Sequence, residues 1–569
     1  MNEDKQIYSQ VIPDIADWPI YKLSEDRKRF VQEIIEETLQ QFMEKPGDQI
    51  SDIIAKTIYN ERIRIKEEPW KVDPPNERQF WRRIRKRLIR RSLDREEKEA
   101  RKNNEEILKT IITRYAEEIV GTFRIQTFLF ARRFLTFFFT RLLNTAAGRN
   151  LHRIWGSKYR LIDRLRVEGY VELIRKLITE GTVVVVPTHF SNLDSILIGY
   201  ALDTFAGLPS FSYGAGLNLY NTGYTAYFMN RLGAYRVDRR KKNEIYLETL
   251  KNMSMLSIKR GTNSLFFPGG TRSRSGSLEK RLKLGLLSTA VEAQRALYQE
   301  GENKKVFIVP LVLSYHFVLE ARFLIEEHLR RSGKEQYIKT KDESDNWWRI
   351  LKYTWRFFAE GNDITLSFGQ PMDVLGNPVD ENGNSFDQYG NLIDLKAYFK
   401  RGDNVITDHQ RESVYTMLLG EKIVTRYHKD NIVLTSHLVA FAAFEWLKHQ
   451  NPALDLYGLL RLPPEDYIFP KDILEAIVKE LQEVLFRMKD QGDIRLSADL
   501  NWEPARVLRD GISHLGTYHL KKPMLYDRKG RIISHSFTLL YFYHNRLENY
   551  GLEKKVKWKE YVVEEVEAV

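Results

Sequence analysis

Four short runs of apolar residues bounded by glycine or proline constrain this chain most. They are Val183-Val184-Val185-Val186, Leu265-Phe266-Phe267, Val306 to Leu313, and Ile364-Thr365-Leu366-Ser367-Phe368. A strand that is apolar on both faces must be covered on both faces, as in a sheet sandwiched between helices. A helical stretch over 169–179 leads through Glu180-Gly181 into the first run. The pattern predicts an α/β domain over 151–375. Residues 1–150 read as mainly helical, and so does 376–569, which is entered through the turn-rich stretch Gly376 to Asn391. No internal repeat is read. Asp380-Glu381-Asn382-Gly383-Asn384 reads as a turn, because its glycine is misplaced for an EF-hand loop.

Composition narrows the chemistry. The 569 residues contain no cysteine, which excludes disulfides, thiolate metal sites and a cysteine nucleophile. Lys and Arg number 89 against 77 Asp and Glu, and the net charge of +12 favours an anionic partner. The N-terminal MNEDKQIYSQ is polar and acidic, unlike a secretory signal, and no apolar run of spanning length is read. The expectation is a peripheral protein on the cytoplasmic face of the cell membrane.

The N-terminal region carries two segments that bear on membrane contact. In 27–45, Phe30, Ile34, Ile35, Leu39 and Phe42 recur at helical spacing, and the pattern breaks at Lys71 to Pro75. The run from Trp81 to Arg91 then holds Arg82, Arg83, Arg85, Lys86, Arg87, Arg90 and Arg91, with Trp81, Ile84 and Leu88 on one helix face. It is either a solvated face or a helix on anionic lipid with its Trp at the interface. Segment 123–143 holds seven Phe, among them Phe130, Phe134, Phe137, Phe138 and Phe139, with Arg124, Arg132, Arg133 and Arg141 spread around the axis. Each Arg costs about 2.5–3.5 kcal/mol at a bilayer centre, which argues against a spanning helix. The expectation is a buried helix whose Arg side chains reach outward, with shallow membrane insertion as the alternative.

The chemistry concentrates where the first strand ends, in Pro187-Thr188-His189-Phe190-Ser191-Asn192-Leu193-Asp194. An apolar helix follows, with Ser191 or Asn192 expected as its N-cap. The spacing lets the Asp194 carboxylate bind one imidazole nitrogen of His189 and leave the other free as a base. A structural His at a strand end is the competing explanation. Two further segments have matching chemistry. They are Arg231 to Arg240, and Phe267-Pro268-Gly269-Gly270-Thr271-Arg272-Ser273-Arg274-Ser275-Gly276, in which backbone N–H groups and guanidinium groups can converge on a phosphate. A third opens at Val309-Pro310 and reaches Tyr315-His316.

In this order the four blocks resemble the glycerol-3-phosphate acyltransferase family, within the wider lysophosphatidic-acid acyltransferase-like superfamily. His189 and Asp194 match its H-x4-D block. Gly233 and Arg239 match the second block and Gly270, Arg272 and Ser273 the third, both associated with acceptor binding, and Pro310 opens the fourth. Val167-Glu168-Gly169 resembles the lead-in, and Asn431 to Leu434 and Thr538 to Leu547 resemble C-terminal segments of the larger bacterial and mitochondrial members. Three positions depart from the family pattern. Gly269 and His316 stand where carboxylates are usual, and Arg236 stands where an aromatic is usual. These departures predict a more positive acceptor pocket.

The resemblance implies an α/β fold with a central mixed sheet flanked by helices and helical regions on either side. It implies a metal-free, cofactor-free acyl transfer from acyl-CoA or acyl carrier protein to the sn-1 hydroxyl of glycerol 3-phosphate. Dihydroxyacetone phosphate and lysophosphatidic acid are alternative acceptors. His189 would act as base and Asp194 would orient it. Arg239, Arg272 and Arg274, with Gly233, Gly270, Thr271, Ser273 and Pro310, would bind the acceptor, and backbone donors near the strand end would meet the oxyanion. An anionic membrane surface is the expected partner and nucleic acid is not, since no zinc-finger spacing or RNA-binding sheet motif is present. A catalytically weak membrane scaffold is the remaining alternative. There is no G-x-S-x-G elbow, Walker A loop or H-E-x-x-H.

Overall fold

Three of the four apolar runs become strands of one sheet, the run at 265–267 contributes only Leu265 to a two-residue strand, and three strands that the apolar pattern did not mark complete it. The computed structural model describes residues 7–91, 97–146, 165–220, 223–331, 364–516 and 519–562. The strands are β1 (Leu165–Gly169), β2 (Gly181–Pro187), β3 (Ser212–Gly216), β4 (Ala234–Val237), β5 (Ser264–Leu265), β6 (Lys305–Tyr315) and β7 (Ile364–Phe368). Their order is β1-β7-β6-β2-β5-β3-β4. All neighbours pair in parallel except β6 and β7, so β7 and β1 run against the other five and the sheet is mixed. β2 and β6 are buried almost throughout, as continuous apolar runs require.

The strands absent from the sequence reading are short or lie at an edge. β1 and β4 each have one neighbour, so nothing demands an apolar run on both faces, and Arg166, Glu168 and Arg236 are tolerated. The helix expected from 169 begins at Val171 instead. Gly169 is the last residue of β1, with φ +99°, and a Cβ there would sit 2.0 Å from the Phe368 carbonyl oxygen.

Five helices of the N-terminal region are α1 (Pro19–Glu25), α2 (Arg27–Met43), α3 (Gly47–Glu67), α4 (Glu77–Arg91) and α5 (Glu97–Ile119), followed by α6 (Ile125–Ala146). Within 165–331 lie α7 (Val171–Glu180), α8 (Asp194–Thr204), α9 (Gly223–Met229), α10 (Glu244–Lys259), α11 (Leu284–Gln299) and α12 (Ala321–Arg331). The longer helices beyond are α13 (His409–Asp430), α14 (Thr435–Gln450), α15 (Lys471–Asp490), α16 (Pro504–His514) and α17 (Phe537–His544). One hydrophobic cluster runs through all of these parts, from Phe30 and Tyr115 through Val183–Val186 to Leu438 and Phe441. The expected boundary at 150/151 lies outside the described residues.

Several expectations change. Trp81 is not an interfacial anchor. It is 1% exposed, its ring lies 6.2 Å from that of Tyr115, and its Nε1–H donates to Glu77 at 3.1 Å. The arginines at 82, 83, 85 and 87 are exposed on the opposite face of α4. α6 is not the buried helix expected, because Phe130, Phe134 and Phe137 are 59%, 45% and 59% exposed. The side chains of Phe138, Phe139 and Arg141 lie outside those described. No helix among the described residues is long and apolar enough to cross a membrane. A short repeat is also present. Asp-x-x-Gly-Asn occurs at 373–377, 380–384 and 387–391, and each Asp Oδ1 accepts from backbone N–H groups two and four residues on while the Asn Nδ2 donates to Asp Oδ2. These are locked turns.

A Trp81→Ala variant should lose about 3–5 kcal/mol of stability, the usual cost of emptying a buried aromatic site. Denaturant unfolding reads this directly, and a change within about 0.5 kcal/mol, typical of a surface site, would show that Trp81 is not core.

Candidate active site

β2 delivers the chain to the C-terminal edge of its parallel neighbours, where loops collect functional side chains. There His189 Nδ1 lies 2.8 Å from Asp194 Oδ2. Asp194 is fully buried at the first position of α8, and neither Ser191 nor Asn192 is the N-cap, which is Leu193 without a side-chain cap bond. Asp194 Oδ2 also accepts the N–H groups of Phe190 and Ser191, at 2.7 and 2.9 Å. Its other oxygen, Oδ1, accepts the hydroxyl of Tyr315 at 2.5 Å. Burial, and then the Asp194 charge, hold the Tyr315 phenol well above its usual range, so it donates. In the neutral tautomer whose Nδ1–H is given to Asp194, Nε2 is the ring nitrogen that carries the lone pair. The imidazole is 15% exposed and stacks on Phe267 at 4.1 Å.

The loop N–H groups were expected to meet an oxyanion, but all five are taken by side chains. His189 N–H donates to Glu279 Oε1 at 3.1 Å, Phe190 and Ser191 to Asp194, Asn192 to Glu320 Oε1 at 3.0 Å, and Leu193 to Ser191 Oγ at 3.2 Å. The loop is a fixed mount for the imidazole, and residues 189–193 have no free backbone N–H to offer.

The departures from the family pattern also resolve differently from expectation. Gly269 lacks a carboxylate, yet Glu279 supplies one at the same place. A Cβ on Gly269 would be 3.1 Å from Glu279 Oε1. Burial lifts the Glu279 carboxyl above its usual range, against the pull of the His189 N–H, Arg546 and His189 itself. Glu320 lies four residues beyond His316, binds Ser191 Oγ and Asn192 N–H, and pairs with Arg272 at 3.2 Å. His316 turns instead to Ser436 at 2.9 Å, and burial followed by His514 pushes its pKa down to about 3, so it adds no charge. Arg236 stands 4.6 Å over Tyr220 and lines a separate cavity.

Arg272 is tied to this loop through Glu320, and Arg239 feels the charges of Arg272 and Arg274. Burial, then Arg272 and Arg274, lower the Arg239 pKa, and no carboxylate opposes them. Arg239 has an exposed outer face and forms no ion pair among the described residues. Arg274 pairs with Glu327 at 3.1 Å and lies 3.5 Å from Thr271 Oγ1. Arg272 and Arg274 line a cavity of about 300 Å³ that also includes Ser273 and Lys280.

The other matched residues mostly serve the scaffold. The Ser273 hydroxyl is spent on the Ser277 carbonyl. The Ser273 N–H donates to the His189 carbonyl at 2.7 Å, which ties the third block to the first. Gly270 turns the chain with φ +75°. Gly233 has φ +82° and is packed under α1, where a Cβ would meet Ile20 Cδ1 at 2.1 Å. Pro310 is buried in β6, opposite Val186.

The sequence reading named Tyr315 without a role and missed Glu279, Glu320 and Arg546. This buried guanidinium lies 4.4 Å over the Phe190 ring and donates to Leu313 O at 2.6 Å and Asn431 Oδ1 at 3.0 Å. Burial pushes its pKa down to about 10, while Tyr550, Glu279, Tyr315 and Asp194 pull it back up. It therefore remains a cation at neutral pH. The sequence signal was the resemblance of Thr538 to Leu547 to a family segment, which carried no role for the arginine.

Residues 164–314 match the Acyltransferase family. The chain is similar to the glycerol-3-phosphate acyltransferase of Haemophilus ducreyi, 30% identical over 230 residues, which are 40% of this chain and 26% of that protein. The enzyme of the same name from Alteromonas mediterranea is 28% identical over 250 residues, 44% of this chain and 27% of that protein. That from Pseudomonas aeruginosa is 24% identical over 290 residues, 51% of this chain and 30% of that protein. The matched stretch thus spans about a quarter of the length of the first two relatives. The stretch that matches the Acyltransferase family, residues 164–314, holds His189 and Asp194 at the C-terminal edge of the sheet.

Proposed function

We propose that this chain transfers a fatty acyl group from a thioester, acyl-CoA or acyl carrier protein, to the sn-1 hydroxyl of glycerol 3-phosphate. The observation that carries the reading is the His189–Asp194 pair at 2.8 Å beside the three-arginine group of Arg239, Arg272 and Arg274. A base and a phosphate-binding charge cluster at one strand edge suit an acceptor with both a hydroxyl and a phosphate. The names of the similar proteins point to the same acceptor.

In this mechanism the arginines hold the acceptor phosphate, with Arg239 the one not already engaged by a carboxylate. His189 Nε2 takes the hydroxyl proton as the oxygen attacks the thioester carbonyl. A C–O bond forms, the C–S bond breaks, and the proton passes from His189 to the departing thiolate. Asp194 keeps Nδ1 protonated and the ring aimed. Because the loop N–H groups are engaged, the positive arginine field meets the charge that develops on the carbonyl oxygen. The reaction takes place at an anionic membrane surface, a reading supported by the exposed arginines of α4 and the exposed phenylalanines of α6.

Three substitutions test the reading in an assay with one acyl-CoA and a panel of glycerol 3-phosphate, dihydroxyacetone phosphate and lysophosphatidic acid. His189→Ala should lower kcat by about 100- to 10,000-fold, the scale of a lost general base, with the unfolding midpoint preserved. Turnover that survives this change would sink the assignment. Arg239→Gln should raise the acceptor KM by about 10- to 100-fold, the equivalent of one charged hydrogen bond, and an unchanged KM would remove Arg239 from the acceptor site. Tyr315→Phe should lower kcat by about tenfold at constant KM, because Asp194 loses one of its donors; an unaltered kcat would make that bond structural only.

A further inference from the structure

A second basic cavity is lined in part by the edge strand β4, and the acyl-transfer mechanism does not use it. Its volume is about 460 Å³, and its lining includes Arg27, Arg124, Arg231 and Arg236. Glu117 and Glu118 also line it, but both are committed. Glu117 pairs with Arg27 at 2.7 Å, and Glu118 with the buried Lys241 at 2.7 Å. Arg124, Arg231 and Arg236 form no ion pair among the described residues. Arg236 Nε is buried and has no hydrogen-bond partner. A buried guanidinium N–H left unpaired beside two further guanidinium groups marks a place built for an anion.

The cavity continues into an apolar surface through a chain of ring contacts. Arg231 stands 4.0 Å over Tyr227. Tyr227 meets Phe228 at 5.5 Å, Phe228 stacks on Phe130 at 6.0 Å, and Phe130 stacks on Phe134 at 6.4 Å. Tyr224, Tyr227, Phe130, Phe134 and Phe137 are all between 45% and 84% exposed. Two elements supply both halves. Arg124 directly precedes α6, and Arg231 closely follows α9, so each helix has a basic end and an exposed aromatic side. A free phosphate would need the arginines alone. An amphiphile uses both, with its headgroup in the cavity and its chains against the rings.

We propose that this cavity binds the phosphate monoester headgroup of an anionic phospholipid and so fixes the orientation of the chain on a bilayer. The inference rests on the membrane reading above and gives that surface a specific ligand. A monoester phosphate carries more charge and more free oxygens than a diester, and three guanidinium groups without a carboxylate partner match it better. The departure Arg236 then has a role outside the acceptor site.

Sedimentation of the full chain with vesicles separates the possibilities. The vesicles are phosphatidylcholine alone, phosphatidylcholine with phosphatidic acid, and phosphatidylcholine with phosphatidylglycerol at matched surface charge. The unaltered chain should prefer the phosphatidic-acid vesicles over the charge-matched ones by about tenfold. Arg124→Gln, an exposed site whose change leaves the core intact, should erase that preference. Arg236→Lys, which keeps the charge and loses the fork, should do the same. Arg528→Gln with Lys529→Gln, on a distant exposed turn, should leave it in place. Binding to no vesicle would overturn the membrane reading and the pocket together. Equal binding to both anionic vesicles, or a preference that survives Arg124→Gln, would overturn the pocket and leave the membrane reading standing. Thermal stabilisation by inorganic phosphate that depends on Arg124, without vesicle preference, would overturn the lipid assignment.

Discussion

The Asp194 carboxylate is the constraint on which the rest of the site depends. It is fully buried and accepts four hydrogen bonds, from His189, two backbone N–H groups and the Tyr315 hydroxyl. A buried carboxylate without such partners costs several kcal/mol, so loop, strand and imidazole are positioned by the same requirement. The loop cannot relax without stripping donors from the carboxylate. The ring cannot rotate without giving up its own contact. The aim of Nε2 thus follows from how Asp194 is satisfied, and Tyr315 at the end of β6 links that demand to the central sheet.

Carboxylates and cations around this centre divide into used and unused groups. Glu279 holds the N–H of His189, and Glu320 holds Asn192 and pairs with Arg272. Arg274 is paired with Glu327, and Arg546 is enclosed among carbonyl and amide oxygens. Arg239 is left without a carboxylate among the described residues. The charges around the mount are therefore largely engaged by one another or by the backbone. On the function proposed above, an anionic acceptor would meet charge that has not been spent on the fold.

The sequence made the interior of the fold legible and left its margins obscure. β2, β6 and β7 were plain because both faces of an inner strand must be apolar, and that leaves a continuous run. β1, β3 and β4 were not, because short or edge strands carry Arg, Glu, Ser or Gly without penalty. His189 and Asp194 were legible because they sit five residues apart on one loop. Glu279 was not, because the position that usually carries a carboxylate is filled in space from ten residues further along. Trp81 and α6 were misjudged for a related reason. Periodicity shows that one face differs from another, but it does not say which neighbour covers it, and α5 covers Trp81 while Phe130 and Phe137 remain exposed.

Family similarity locates the chemistry within 164–314, but the residues that stabilise it extend further. Tyr315, the last residue of β6, lies just beyond the matched stretch. His437 on α14 donates its Nε2–H to the Tyr315 carbonyl at 3.0 Å, and burial followed by Arg546 holds that imidazole neutral, well below its usual range. Arg546, just past α17, reaches the Leu313 carbonyl and the Phe190 ring together. The C-terminal helices therefore clamp the strand that carries Tyr315 and the loop that carries His189. Removing them would expose Phe190, unpair a buried carbonyl and withdraw a cation that acts on both Asp194 and Glu279. The functional unit of this chain is thus larger than its family domain, because part of the electrostatic support of one buried carboxylate comes from an arginine far along the sequence, near the end of the described chain.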